Sequence, residues 1–417
     1  MGKVLRAIRS GHPGSLFSAF LHFDVSFMVW VLLGALGVFI AQDLNLTATQ
    51  KGLMVAVPLL GGAIFRVVVG FLADRFGPKK TGIGCLVLVM LPLLWGWLGA
   101  DTFSEVLALG LLLGVAGASF AVAMPLASRW YPPESQGIAM GIAGAGNSGT
   151  IIAVLLAPRL APEFGWHGVF GLALLPVLVT LAVFTVMARE TPDLPTPVSF
   201  RQAARIFREP DLWWFGLFYS ITFGGFVGLA SFLGIFFYDQ YRVDRIMAGN
   251  LTALCVIAGS GFRPLGGYLA DRLGGLKVLP WIYGFGAAAL VGVGSLPPLA
   301  VAVATLFGAM MVLGMGNGAI FQMVPQRFRE DIGFVSGLIG AAGGVGGFLL
   351  PSLLGWFKDL TGSFGAGFLL FAALAVTCVV TLLRHRVRWQ ASWTAEAVSI
   401  AMGQRAGRVR MEVAYSG

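Results

Sequence analysis

Two arginines stand where arginines are costly. Arg66 lies in Phe65-Arg66-Val-Val-Val-Gly70-Phe-Leu-Ala-Asp74-Arg75-Phe-Gly77, and Arg263 in Phe262-Arg263-Pro-Leu-Gly-Gly267-Tyr-Leu-Ala-Asp271-Arg272-Leu-Gly274, the same pattern displaced by 263 − 66 = 197 positions. Each arginine precedes an Asp-Arg pair by eight residues, inside an otherwise almost wholly apolar run. Eight residues of helix span about 12 Å, so with Asp74 and Asp271 at the water boundary both guanidinium groups fall near the middle of an apolar layer about 30 Å thick. An ionisable group at that depth points to function, and the chemistry a cation offers there is capture of an anion. A planar guanidinium fork binds oxyanion edges through paired hydrogen bonds, which a lysine point charge does not. Asp24 is the one acid placed deeply enough to neutralise either arginine, and it cannot pair with both. Two arginines at matching depth in two halves predict one central anion site.

The elements that must carry them are membrane helices. The chain has 417 residues, 57% hydrophobic and 11% charged, with mean hydropathy +0.84. Soluble domains carry about 25% charged residues. Apolar runs of about 20 residues begin near positions 15, 49, 79, 103, 134, 167, 211, 246, 277, 298, 332 and 364, predicting an all-α membrane protein with twelve transmembrane helices. The net charge of +9 is not a nucleic-acid signal, because 21 of the 28 Lys and Arg residues fall in loops and termini on one side. The positive-inside rule then places both termini in the cytoplasm. No cleavable leader is expected, since the first 14 residues are basic and polar and the first apolar run is long enough to stay as a span. Cys85, Cys255 and Cys378 lie singly within predicted spans and suggest packing rather than a disulfide or metal site.

The repeat extends beyond the arginines. Gly114 to Pro125 matches Gly314 to Pro325, and a glycine-rich fifth span matches the eleventh. The halves are therefore expected at 15–188 and 211–384, after a short lead at 1–14, with a linker at 189–210 and a cytoplasmic tail at 385–417. Within the linker, Ser199 to Arg208 places Phe200, Ala203, Ala204 and Phe207 on one face and Arg201, Arg205 and Arg208 on another, the pattern of a helix lying along the membrane surface. Gly144-Ala-Gly146-Asn147-Ser-Gly149 matches a dinucleotide-binding pattern, but it sits in an apolar span with no acidic residue about 20 positions on, and a Walker A sequence is absent. No cofactor is expected, and no nucleophile or metal cluster suggests an enzyme. Asn147 and Gly343 or Gly344 lie about eleven residues into their spans, roughly 16 Å and so also near the midplane. An unpaired amide there would be costly, whereas one facing an anion would be satisfied.

Gly70, with Asp74-Arg75-Phe76-Gly77-Pro78-Lys79-Lys80, resembles the signature loop of the major facilitator superfamily. That implies two pseudo-symmetric six-helix bundles around a midplane site, with alternating access by rocking. The run Gly137 to Gly149 and its partner Gly333 to Gly344 look like the paired glycine-rich signatures of the nitrate/nitrite porter family, as do Gly314 to Gln322 and Tyr219 to Phe226. The resemblance implies that Arg66 and Arg263 hold the anion, that Asn147 and Tyr219 donate hydrogen bonds to it, that Phe120 and Phe223 sandwich its flat faces, and that Gly144 and Gly343 line the site. It also implies a further aromatic contact from helix 1, either Phe27 or Trp30. The expected function is secondary transport of nitrate or nitrite across the inner (cytoplasmic) membrane by a monomer in the lipid bilayer, through exchange or proton-coupled uptake. Alternatives are a carrier of another small monoanion, such as cyanate, formate or a short carboxylate, or a membrane anion sensor. Asp24 is a candidate proton site, or else a carboxylate in a wet vestibule or one paired with a basic group. Asp74, Arg75 and Arg129, with Asp271 and Arg272 in the second half, are expected to govern conformation: Asp74 pairing with Arg129 and meeting the N-terminus of helix 11 would stabilise an outward-open state. Asp74→Asn should then shift the balance inward, and cysteine probes on the cytoplasmic side should label faster.

Overall fold

The structure, a computed structural model, describes residues 8–191, 200–328 and 332–415. These form helices, with no strand among the described residues. Among the described residues, ten helices are long and apolar enough to cross a membrane. Twelve passes result because the first is broken and therefore falls outside that set, and because one of the ten, Ile138–Met187, turns back on itself at Gly165.

The passes are α1 (Pro13–Trp30, Leu32–Ala35 and Gly37–Asp43 in succession), α2 (Ala48–Phe76), α3 (Pro78–Gly99), α4 (Phe103–Gly117 and Phe120–Ser128) and α5 (Pro133–Gly144, the 3₁₀ turn Ala145–Ser148 and the start of Gly149–Met187). The rest of that last helix, beyond Gly165, is α6. The second half comprises α7 (Pro210–Tyr241), α8 (Arg245–Gly261 and Arg263–Leu273), α9 (Gly275–Gly294), α10 (Leu299–Arg327), α11 (Ile332–Thr361) and α12 (Gly365–Tyr415). The helix of α12 runs unbroken through the stretch expected as a separate tail from position 385. The predicted surface helix is present as Phe200–Phe207, with Arg201, Arg205 and Arg208 exposed, and it buries Ile206 rather than the predicted alanines. Most of the predicted linker, residues 192–199, lies outside the described residues.

Both Asp-Arg loops turn in the same way. Gly77 (φ 93°) and Gly274 (φ 90°) end α2 and α8 in a conformation that side chains rarely adopt, which lets α3 and α9 start at once. This turn is what the repeated glycine encodes.

The halves, α1–α6 and α7–α12, meet closely on the face away from these loops. A Cβ at Gly52 would lie 2.4 Å from the Pro351 carbonyl oxygen, one at Gly355 2.2 Å from that of Ala48, one at Gly34 2.5 Å from that of Ser231, and one at Gly249 2.6 Å from that of Val154. Ion pairs and hydrogen bonds rim this seam: Lys51 to Asp239 at 2.7 Å, Arg159 to Asn250 at 2.7 Å, Arg245 to Gln42, and the Asp359 carboxylate accepting from the N–H groups of Ala48 (3.1 Å) and Thr49 (2.7 Å) at the start of α2. Toward the Asp-Arg loops the halves part, and a Cβ at Gly141, Gly144, Gly333 or Gly337 would meet nothing within 4 Å. The central cavity thus opens on the face that carries those loops and is sealed on the other.

Candidate anion-binding site

Arg66 is 2% exposed and sits where the halves meet at mid-depth. Its Nη2 donates to the Gly117 carbonyl on α4 (2.8 Å) and its Nη1 to the Gly340 carbonyl on α11 (2.7 Å), so one guanidinium bridges the two bundles. The local fold frees the first acceptor. At Ala118–Ser119 the helix tightens, Ala121 donates to Ala118 (2.9 Å) rather than to Gly117, and the Gly117 carbonyl is left for the arginine. The second acceptor is accessible because Gly340 has no side chain: a Cβ there would lie 2.9 Å from Arg66 Cδ. Arg66 Nε remains buried without a partner, one of the atoms that a bound anion or water would satisfy.

Rings enclose this guanidinium. Its carbon lies 5.4 Å from the Phe223 ring centre, 5.8 Å from that of Phe120 and 6.0 Å from that of Trp30, within cation–π range. Tyr219 stacks on Phe223 (5.0 Å, 3°) and meets Phe321 edge-on (4.9 Å). Both arginines lie within electrostatic range of the buried Tyr219 hydroxyl. Arg263 itself is half-buried at the head of the second α8 segment, where Pro264 lacks the N–H that would have continued the helix. Gly343 backs the stack, since a Cβ would come within 2.6 Å of Tyr219 and 2.9 Å of Phe223. Gly144 opens onto free space.

Asn147 is 3% exposed, and its side-chain oxygen has no partner. It projects from the 3₁₀ turn Ala145–Ser148, the part of α5 that matched the dinucleotide pattern. Asp24 braces this turn: its carboxylate accepts from Ser148 Oγ at 2.5 Å. Gly146 and Gly149 let α1 come this close, because Cβ atoms there would overlap the backbone at Asp24. The aspartate is therefore neither loose in a vestibule nor paired with an arginine among its described contacts.

Two rings go beyond what the sequence specifies, one a choice between Phe27 and Trp30 and the other unforeseen. Trp30, not Phe27, is the helix-1 ring against Arg66; it stacks near Phe223 (6.4 Å, 19°) and is anchored by Nε1 donating to the Pro58 carbonyl at 2.7 Å. Phe321 was not expected to take part, yet it joins Phe120 (5.8 Å) to Tyr219 across the halves. The residues expected to govern conformation lie apart from the site. Arg129 Nη2 donates to Asp74 Oδ1 at 2.8 Å, a link between α4 and α2 within one half. Arg75 lies over Phe76 and Arg272 over Tyr268. The N-terminal end of α11, expected opposite Asp74, borders residues 329–331, outside the described residues.

The Major Facilitator Superfamily pattern matches residues 18–351. The chain is 32% identical over 361 residues to the "Nitrite extrusion protein" of Bacillus subtilis, covering 86% of this chain and 90% of that one. It is 34% identical over 373 residues to the "Probable nitrate/nitrite transporter NarK2" of Mycobacterium tuberculosis, covering 87% and 94%. Among solved structures, the partially occluded inward open xylose transporter XylE from E. coli superimposes with a TM-score of 0.70 over 91% of this chain and 98% of that one at 15% identity, a likeness of fold. A twelve-pass helical repeat with an arginine from each half beside one aromatic stack, read with these relatives, places the chain in the nitrate/nitrite porter family of the major facilitator superfamily.

Proposed function

We propose that this chain is a secondary transporter of nitrate and nitrite in the bacterial inner membrane, with both termini cytoplasmic, that works by alternating access as a monomer and holds the anion between Arg66 and Arg263. The observation that carries the site assignment is the state of the Arg66 guanidinium: two N–H groups on the carbonyls of Gly117 and Gly340, Nε without a partner, and Arg263 within electrostatic range. An oxyanion entering between the arginines completes that hydrogen-bonding set. Nitrate and nitrite are planar monoanions, so their in-plane oxygens suit guanidinium forks and their faces suit the rings of Phe120, Phe223 and Trp30. Asn147 and Tyr219 supply the remaining polar contacts, with Gly144 and Gly343 leaving room for them.

Two cations and one monoanion leave the loaded pocket positive and the empty pocket with two facing like charges. The empty carrier therefore resists the occluded state, which favours exchange of one anion for another over net uptake. Proteoliposomes loaded with nitrite should take up nitrate at least about tenfold faster than empty ones, with no response to an inward proton gradient. Equal rates with and without internal anion would count against exchange. Asp24 carries the competing proton-symport reading. Stimulation of wild type by the gradient, lost in Asp24→Asn, would establish it. Because Asp24 also braces the turn that holds Asn147, the deciding readout is the ratio with and without the gradient, not the rate.

A further inference from the structure

Away from the central cavity, α8, α9 and α10 enclose a groove of about 490 Å³ on the outer surface of the second half. Arg272 and Lys277, both exposed, flank its mouth beside the Gly274 turn, and its other lining residues are apolar, with none acidic. Leu273, Trp281, Phe285 and Val312 form the walls; Trp281 is 71% exposed and Phe285 63%. Lys277, Trp281 and Phe285 follow one another at four-residue steps, so they form a single stripe along α9. Eight residues from Lys277 to Phe285 span about 12 Å, which sets the cations at the membrane boundary and the rings in the outer acyl layer. The Arg272 guanidinium lies 4.7 Å from the Tyr268 ring, which holds it beside the groove.

We infer that this groove is a binding site for an anionic phospholipid, with the headgroup phosphate between Arg272 and Lys277 and an acyl chain against Trp281 and Phe285. The charge argues for the occupant. Two cations with no carboxylate in the lining favour a net-negative headgroup over a zwitterionic one, and basic pockets between membrane helices on the positively charged side hold such headgroups. The apolar run below argues for a lipid rather than a soluble phosphate. The first half serves as an internal contrast: at an offset of 197 it keeps the cations Arg75 and Lys80 but has Gly84 where α9 has Trp281, so it lacks the aromatic wall. A lipid here would tie α8, which carries Arg263, to α9, and would move with the second half as one body.

Trp281 is a built-in reporter. Purified protein in neutral detergent is titrated with brominated phosphatidylglycerol or brominated phosphatidylcholine, and the quenching assigned to Trp281 is the difference between wild type and Trp281→Phe. The expected result is half-quenching at roughly fivefold or more lower phosphatidylglycerol than phosphatidylcholine, with the preference lost in Arg272→Gln/Lys277→Gln while phosphatidylcholine quenching is unchanged. Equal quenching of wild type by the two lipids would overturn the inference, as would a preference that survives the double substitution. Relief of quenching by millimolar inorganic phosphate would also overturn it, since the site would then read a soluble anion. Lys277→Gln alone, matched to wild type in elution and melting temperature, keeps the test meaningful if the double variant folds poorly; it should reduce the preference at least about twofold.

Discussion

Arg66→Lys and Arg263→Lys are each expected to weaken nitrate binding about 100-fold and to reduce transport to near background, even though neither changes the charge. Arg66 shows why. One guanidinium serves Gly117, Gly340 and, through its remaining N–H groups, the anion, whereas an ammonium has one nitrogen and cannot span acceptors on α4 and α11 while presenting an edge to a ligand. Hydrogen bonds to charged groups are worth about 1.5–3 kcal/mol each, so losing one or two is roughly 3 kcal/mol, close to a factor of 100. The cation is retained, so the variants avoid the cost of an uncompensated cavity and should insert and elute as wild type does. Calorimetry of nitrate binding to the purified protein is the check. Affinities within threefold of wild type for both variants would mean that charge alone draws the anion in and that the planar fork is incidental. The two losses should not add in the double variant, because both arginines act on one ligand and on one tyrosine.

How much of this site could be read in the sequence depended on whether the signal was repeated. Arg66 and Arg263 stood out because the same eight-residue interval to an Asp-Arg pair occurs twice, and the depth argument required nothing but helix rise. Trp30 could not be separated from Phe27, three residues away on the same side of α1, because only packing decides between them. A Cβ at Gly117 would lie 2.3 Å from the Trp30 ring and one at Gly62 2.7 Å, so two glycines from other helices form the slot that seats it. Phe321 was missed for a related reason. The repeat pairs Phe120 with Ile320, but α4 is over-wound at Ala118–Ser119 while α10 is continuous, so the residue at the matching angle is one further along. The breaks in α1 at Val31 and Leu36 have no proline to announce them; between them Gly34 lies against the Ser231 backbone, where a Cβ would come within 2.5 Å of the carbonyl oxygen. Asp24 was legible as a buried acid, but its bond to Ser148 joins residues 124 positions apart.

Gly355→Leu is expected to abolish transport by denying the carrier the conformation described here, and Gly52→Leu to do the same from the facing helix. These glycines are where α2 and α11 touch backbone to backbone on the sealed face. Even a methyl group at Gly355 would come within 2.2 Å of the Ala48 carbonyl oxygen, and a main-chain atom cannot rotate away as a side-chain tip can. Overpacking of this kind costs about 1–3 kcal/mol or more, and a leucine exceeds the methyl by three carbons, so the upper end applies and the sealed state should lose at least 100-fold in population. The same face also loses its polar rim as the halves part, because Lys51–Asp239 and the Asp359 cap on α2 both reach across the seam. Each half packs internally without this seam, so the wedge should displace the equilibrium toward the opposite opening rather than unfold the protein. The measurement is labelling of single cysteines placed on either side: a cysteine at Gly337, lining the open cavity, should slow at least tenfold in the Gly355→Leu background, while one at Ser231 should become reactive. Unchanged labelling at both positions alongside lost transport would mean that the seam does not set the conformational balance and that the leucine acts elsewhere.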